Sequence, residues 1–135
     1  MPKLTLVIDG PPISKNRPRF GKGRTYSDQK QESLAIQWEI KSQLPKGFQP
    51  LTGAVELQFF FFMPIPTSTS KKRQEMMLKN EIKHTTGKDL DNLIKMVKDC
   101  MNKIVYNDDS QVWKYPEAIK VYSLHAHTQI LVGWD

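Results

Sequence analysis

Leu4, Leu6 and Ile8 share one parity, and Thr5, Val7 and Asp9 the other. That two-residue period predicts an opening strand, which Gly10-Pro11-Pro12 ends. Over residues 29–44 the period lengthens. Leu34, Trp38 and Ile40 fall at near-helical spacing, with Ser27-Asp28 as N-cap and Pro45-Lys46-Gly47 as stop. Residues 54–63 predict the strongest strand. Its alternation gives way to the run Phe59-Phe60-Phe61-Phe62, which predicts cover on both faces of its second half. Breaks at Pro64-Ile65-Pro66 and Thr85-Thr86-Gly87 isolate a short basic helix from Lys71 to Ile82. A third helix is predicted from Asp91 to Ile104, then a turn at Tyr106-Asn107-Asp108-Asp109, and two strands over 111–123 and 129–134.

The third helix has the clearest pattern. At about 100° per residue, Leu90, Leu93, Met96, Val97, Cys100, Met101 and Ile104 fall within about 140° of arc, a stripe that must be buried. Asp91, Lys95, Lys98 and Asn102 fall together on the other side. The element order β–α–β–α–α–β–β predicts a single α+β domain over residues 1–135. Its sheet would be mixed or antiparallel, of about four strands, with about three helices packed on it. Trp38, Trp113, Trp134 and the phenylalanines at 59–62 are expected in the core, and Cys100 as an inert core thiol.

Composition narrows the partners. Twenty Lys and Arg against 14 Asp and Glu leave +6 on 135 residues. Such a domain favours an anionic partner, most often nucleic acid. The one cysteine excludes a disulfide within the chain and any Cys-rich zinc site. The N-terminal apolar run is too short for a signal peptide and no segment approaches a membrane span, so a cytoplasmic setting without a membrane partner is expected. Positive charge concentrates in two places. From Gly10 to Tyr26, a Gly- and Pro-rich stretch read as a loop or arm, Lys15, Arg17, Arg19, Lys22 and Arg24 alternate with Phe20 and Tyr26 and no acid intervenes. Arginines for phosphates with aromatics for bases is a nucleic-acid pattern, though a solvated loop without a partner has the same composition. Lys71, Lys72 and Arg73 open the second helix against its dipole, which a phosphate would relieve. His84, His125 and His127 form no ligand pattern and are expected in surface or turn roles.

Acidic residues are the informative exception. In Lys88-Asp89-Leu90-Asp91-Asn92-Leu93-Ile94-Lys95 two aspartates stand two apart where an extended segment turns helical, so both carboxylates can face one point. Converging carboxylates need a cation between them or a shared proton, and Mg²⁺ is the usual cation for a hard oxygen site with few protein ligands. Lys95 lies one turn from Asp91 on the same face. Asp108-Asp109 can return a third carboxylate to the cluster. The same residues also fit a plainer reading: Asp91 as an N-cap, Asp91–Lys95 as an exposed ion pair, and Asp108-Asp109 as an ordinary turn.

Taken jointly, Lys88-Asp89-Leu90-Asp91-Asn92-Leu93 with Lys95, then Asp108-Asp109-Ser110-Gln111-Val112, and Pro11-Pro12-Ile13-Ser14-Lys15-Asn16-Arg17 near the start, resemble the RusA family of Holliday junction resolvases of bacteria and their phages. The resemblance spans most of the chain. It implies a homodimeric, Mg²⁺-dependent endonuclease, with Mn²⁺ as a substitute and no small-molecule cofactor, that cuts four-way DNA symmetrically in recombination and repair within the bacterial cell. Carried over by position, Asp89, Asp91 and Asp109 would be catalytic carboxylates and metal ligands, and Lys95 the catalytic lysine. DNA would be held by Lys15, Arg17, Arg19, Lys22, Arg24, Lys71, Lys72, Arg73, Lys88 and Lys98. Lys88 stands where the best-known family member has arginine, and Lys98 where a family phenylalanine implicated in opening the junction falls. The competing classes are a non-catalytic module for branched DNA and a broader flap or branch nuclease.

Overall fold

The computed structural model describes residues 2–16, 19–21, 24–26 and 29–135, the two three-residue pieces as backbone only. In chain order the elements are β1 (Lys3–Asp9), β2 (Arg19–Gly21), β3 (Arg24–Tyr26), α1 (Lys30–Gln43), β4 (Val55–Pro64), α2 (Lys71–Leu78), α3 (Leu90–Met101), a 3-10 turn (Asp109–Gln111), β5 (Val112–Lys114), β6 (Ala118–Ser123) and β7 (His127–Trp134). The fold is α+β with three α-helices on a mixed sheet, as expected from the pattern, and the sheet has five strands where about four were expected.

β1, β7 and β4 run antiparallel side by side. The other edge of β4 carries two strands in succession, both parallel to it: β5 at Val55 and Glu56, then β6 from Phe59 to Pro64. Parallel neighbours need a long crossover, and the segment holding α2 and α3 supplies it. β2 and β3 pair only with each other, so the basic stretch read as a loop contains a small antiparallel ribbon outside the main sheet.

One sheet face holds the core. Leu6 and Ile8 of β1, alternate residues of β4 from Val55 to Met63, and Ile130 and Val132 of β7 are buried together. Ile36 and Ile40 of α1 and the stripe Leu93, Met96, Val97, Cys100 and Met101 of α3 cover them. Burial raises the Cys100 thiol pKa, as an inert core thiol requires.

Several expectations change. β4 keeps strict alternation to its end: Phe59 and Phe61 are buried, whereas Phe60 and Phe62 stay half-buried. Phe62 is partly covered by the His127 ring, stacked at 4.3 Å. Trp38 is 71% exposed because α1 turns Ile36 and Ile40 inward, which puts Leu34 and Trp38 on the opposite side. Trp113, 64% exposed, lies on the edge strand β5, where the register with β4 shifts. That shift, with Pro116 just beyond, splits the single strand expected over 111–123 into β5 and β6. α2 stops at Leu78 and not at Ile82, with Asn80 at positive φ. α3 is capped by Asp89 and ends at Met101. The expected cap Ser27-Asp28 lies outside the described residues; Gln29 occupies the N-cap of α1 and makes no side-chain cap bond. Among the described residues no helix is long and apolar enough to cross a membrane.

Candidate active site

Asp89 is extended (φ −72°, ψ 132°), and its Oδ1 accepts a hydrogen bond from the Asp91 N–H at 3.0 Å. Asp89, and not Asp91, therefore satisfies an orphan donor of the first turn. Asp91 follows in that turn, at the positive end of the helix dipole. The backbone just before is held from two sides. The Lys88 ammonium donates to the Pro12 carbonyl, and the Lys120 ammonium donates to the Lys88 carbonyl at 2.7 Å.

The second acidic pair divides its labour through its neighbours. Asp108 Oδ2 accepts from the Ser110 N–H at 3.0 Å, and Gln111 Oε1 accepts from the Asp108 N–H at 2.8 Å, a closed capping box. Hydrogen bonding to Ser110 holds the Asp108 carboxyl below its ordinary pKa. The other end of the Gln111 amide donates to the Leu51 and Gly53 carbonyls at 2.8 and 2.9 Å, which pins the turn to the approach to β4. With Asp108 spent on the cap, Asp109 is left to face the helix.

Asp91, Lys95 and Asp109 line one cleft of about 320 Å³, together with Ile94, Lys98, Asp99 and Tyr115. Three of the four residues read as catalytic thus meet, from two separate segments of chain. Asp89 is not in the lining; it stands at the cap two residues before Asp91. Among the described residues Asp91, Lys95 and Asp109 take part in no ion pair, so the expected alternative of an Asp91–Lys95 surface pair is absent. The floor is supported by Tyr106, fully buried, whose hydroxyl donates to the Lys98 carbonyl at 3.0 Å. Burial first, and then the charge of Asp109, drive the Tyr106 phenol pKa up.

Asp99 and Tyr115 were not singled out from sequence. Asp99 was within reach, since it continues the Asp91–Lys95 stripe by one more turn. Tyr115 was not, because its place depends on which strands flank β4. The Asp99 carboxylate pairs with the Lys15 ammonium at 3.4 Å, and the Lys15 N–H donates to the Asn92 carbonyl at 3.0 Å. The segment leading into the basic arm is thereby laid along α3. Gln29, buried, closes that segment: its Nε2 donates to the Ser14 carbonyl at 2.7 Å, and its Oε1 accepts from the Asn16 N–H at 2.8 Å.

The residues read as DNA-binding separate into groups. Lys71, Lys72 and Arg73 are exposed at the start of α2 and make no ion pair among the described residues. Lys15, Lys88 and Lys98 already hold partners within the protein, Lys98 through a 2.7 Å bond to the Tyr115 hydroxyl. Arg19 and Arg24 lie on β2 and β3 with side chains outside the described residues, as do Arg17 and Lys22 entirely. The histidines keep structural roles. His84 packs on the Tyr122 ring, and burial followed by Lys120 lowers its pKa; His125 meets Asp9 at 3.3 Å.

As the side chains stand, no three Asp, Glu, His or Cys residues among those described are close enough to enclose an ion. The donor set nevertheless suits a hard divalent cation: of the three carboxylates lining one open cleft, Asp99 is paired with Lys15, and Asp91 and Asp109 are neutralised by no lysine or arginine among the described residues.

Residues 9–132, nearly the whole chain, match the family profile described as endodeoxyribonuclease RusA. An uncharacterized protein of Bacillus subtilis (strain 168), YqaN, is 28% identical over 135 residues, covering 96% of this chain and 94% of its own.

Proposed function

The chain belongs to the RusA endodeoxyribonuclease family, and from that premise we propose that it is a Mg²⁺-dependent, structure-specific endonuclease that resolves four-way DNA junctions by symmetric hydrolysis. The observation that carries the reading is the meeting of Asp91, Lys95 and Asp109 in one cleft with none of them ion-paired among the described residues. Carboxylates repel a phosphodiester unless a cation stands between, so a module that only bound DNA gains nothing from this arrangement.

Asp91 and Asp109, with Asp89 beside them, would hold Mg²⁺, or Mn²⁺ in its place. When bound, the ion supplies Lewis-acid polarisation of the phosphodiester. Lys95, on the same helix face, takes up negative charge developing on the phosphate or on the departing oxygen. Lys71, Lys72 and Arg73 with Arg17, Arg19, Lys22 and Arg24 grip the DNA backbone. Lys15, Lys88 and Lys98 join them, since each ammonium holds one partner within the protein and keeps further donors for phosphate. A homodimer places two equal sites across a near-symmetric junction. The sheet face opposite the core, with Phe60, Phe62 and Leu131 half-buried and Val7 exposed, is the apolar surface suited to it. The protein acts on DNA within the bacterial cell, in recombination and repair.

The test is cleavage of a synthetic four-way junction beside a flapped duplex and a linear duplex of the same sequences, in Mg²⁺ and in EDTA. Paired, symmetric nicks in the junction alone, lost in EDTA, are expected. Binding without cutting in Mg²⁺ or Mn²⁺ would replace this reading with a binding module. Equal cutting of flaps would broaden it to a branch nuclease.

A further inference from the structure

Five of the seven residues lining the cleft are charged, and Ile94 is buried. The seventh, Tyr115, is an aromatic left 43% exposed beside the carboxylates. It is not a loose surface ring. It sits just past β5, and the fully buried Phe59 packs against it in a T-shaped contact at 5.8 Å. Its hydroxyl accepts a hydrogen bond from the Lys98 ammonium at 2.7 Å. That ammonium, 5.3 Å from the ring centroid, meets the tyrosine at its polar tip. The ring is therefore anchored at its base and its tip while much of it remains in water. Trp113, two residues earlier on the same sheet edge, is more exposed still and has the Lys114 ammonium 5.7 Å from its ring. Two exposed aromatics flanking Lys114, which also pairs with Glu56 at 3.9 Å, with Lys98 reaching in from α3, make a surface suited to unpaired bases and their phosphates.

We propose that the Tyr115 ring is a stacking site for an unpaired base of the DNA strand held in the cleft. This rests on the nuclease reading and adds how the site tells a branch from a duplex. In continuous duplex both faces of every base are covered by neighbours, and a ring in the cleft has nothing to stack on. At an open branch point the last base pair of an arm loses a stacking neighbour, so its base is unpaired and moved onto Tyr115 at less cost than one within a duplex. Lys98, held at the tip of the ring, lies where it can meet the phosphate of the same nucleotide.

A cycle between protein and DNA tests this. Kd is measured in EDTA, so that nothing is cut, for four-way junctions in which each nucleotide flanking the branch is in turn made abasic. The proteins are wild type, Tyr115→Phe and Tyr115→Leu, each checked for unchanged thermal unfolding. At one position the loss of the base should weaken wild-type binding about tenfold. Tyr115→Phe should behave the same. Tyr115→Leu should bind the intact junction about tenfold more weakly and lose nothing further at that abasic site. Additive losses at every position would overturn the stacking site while leaving the nuclease reading intact, as would Tyr115→Phe behaving like Tyr115→Leu. A wild type that neither binds nor cuts branched DNA would overturn both.

Discussion

Replacing Tyr106 by phenylalanine probes the floor of the cleft in two directions at once. The side chain is fully buried and its hydroxyl donates to the carbonyl of Lys98, in the last turn of α3. Removing the hydroxyl takes away one internal hydrogen bond, a loss of about 1 kcal/mol at neutral pH. The same hydroxyl becomes a weakness in alkali. Burial first, then the charges of Asp109 and its neighbours, raise the phenol pKa above the ordinary 10.0, so the folded protein keeps a proton that the unfolded chain releases. The contribution of Tyr106 is therefore complete below pH 10 and declines above it by about 1.4 kcal/mol per pH unit until the raised pKa is reached. Phenylalanine has no such decline. Tyr106→Phe should be less stable than wild type by about 1 kcal/mol from pH 7 to 9, equal near pH 10.7 and more stable beyond. Urea unfolding followed by circular dichroism from pH 7 to 11 measures the difference, in which the lysines common to both proteins cancel. A difference that stays constant from pH 9 to 11 would refute the buried, neutral phenol and with it this account of the floor.

Asp91→Asn should abolish junction cleavage and leave binding equal or tighter, because a negative charge facing phosphate is removed; binding lost in parallel with cleavage would make Asp91 structural. Asp89 serves as cap and candidate ligand, and two variants separate the roles. Asp89→Asn keeps a good cap, so it should unfold like wild type yet fail to cut, whereas Asp89→Ala should also lose about 1 kcal/mol of stability. A fully active Asp89→Asn would show that its charge is not used. Junction affinity should fall steeply as salt rises, and neutralising Lys71, Lys72 and Arg73 together should make the slope of log affinity against log salt shallower by roughly two to three. An unchanged slope would remove α2 from the DNA surface.

What could be read in the sequence was what depends on near neighbours. The two-residue period of β1 and the apolar stripe of α3 are local facts, and both stand in the structure with Leu6, Ile8, Leu93 and Met96 buried where the pattern put them. Distant partners were illegible. Leu34 and Trp38 are as apolar as Ile36 and Ile40, and only the positions of β1 and α3 decide which pair faces inward. That Asp109 and not Asp108 lines the cleft follows from Gln111, which caps Asp108 and whose amide reaches carbonyls 60 and 58 residues away. The break between β5 and β6 reflects two strands sharing one edge of β4, a fact of topology with no trace in the hydrophobic pattern.

The clamp made by Gln29 on Ser14 and Asn16 has a consequence for how such a protein diversifies. The chain departs after Asn16 and returns at Gln29 to the same point, so the stretch between has no span to bridge. Lengthening a loop closed at its neck costs little, about 0.6 kcal/mol for each doubling. Arms of different length and sequence can thus be exchanged between Asn16 and Gln29 while the carboxylates on α3 keep their positions. Under the proposed function, DNA contacts made by that segment can drift under selection while the carboxylates on α3 stay fixed.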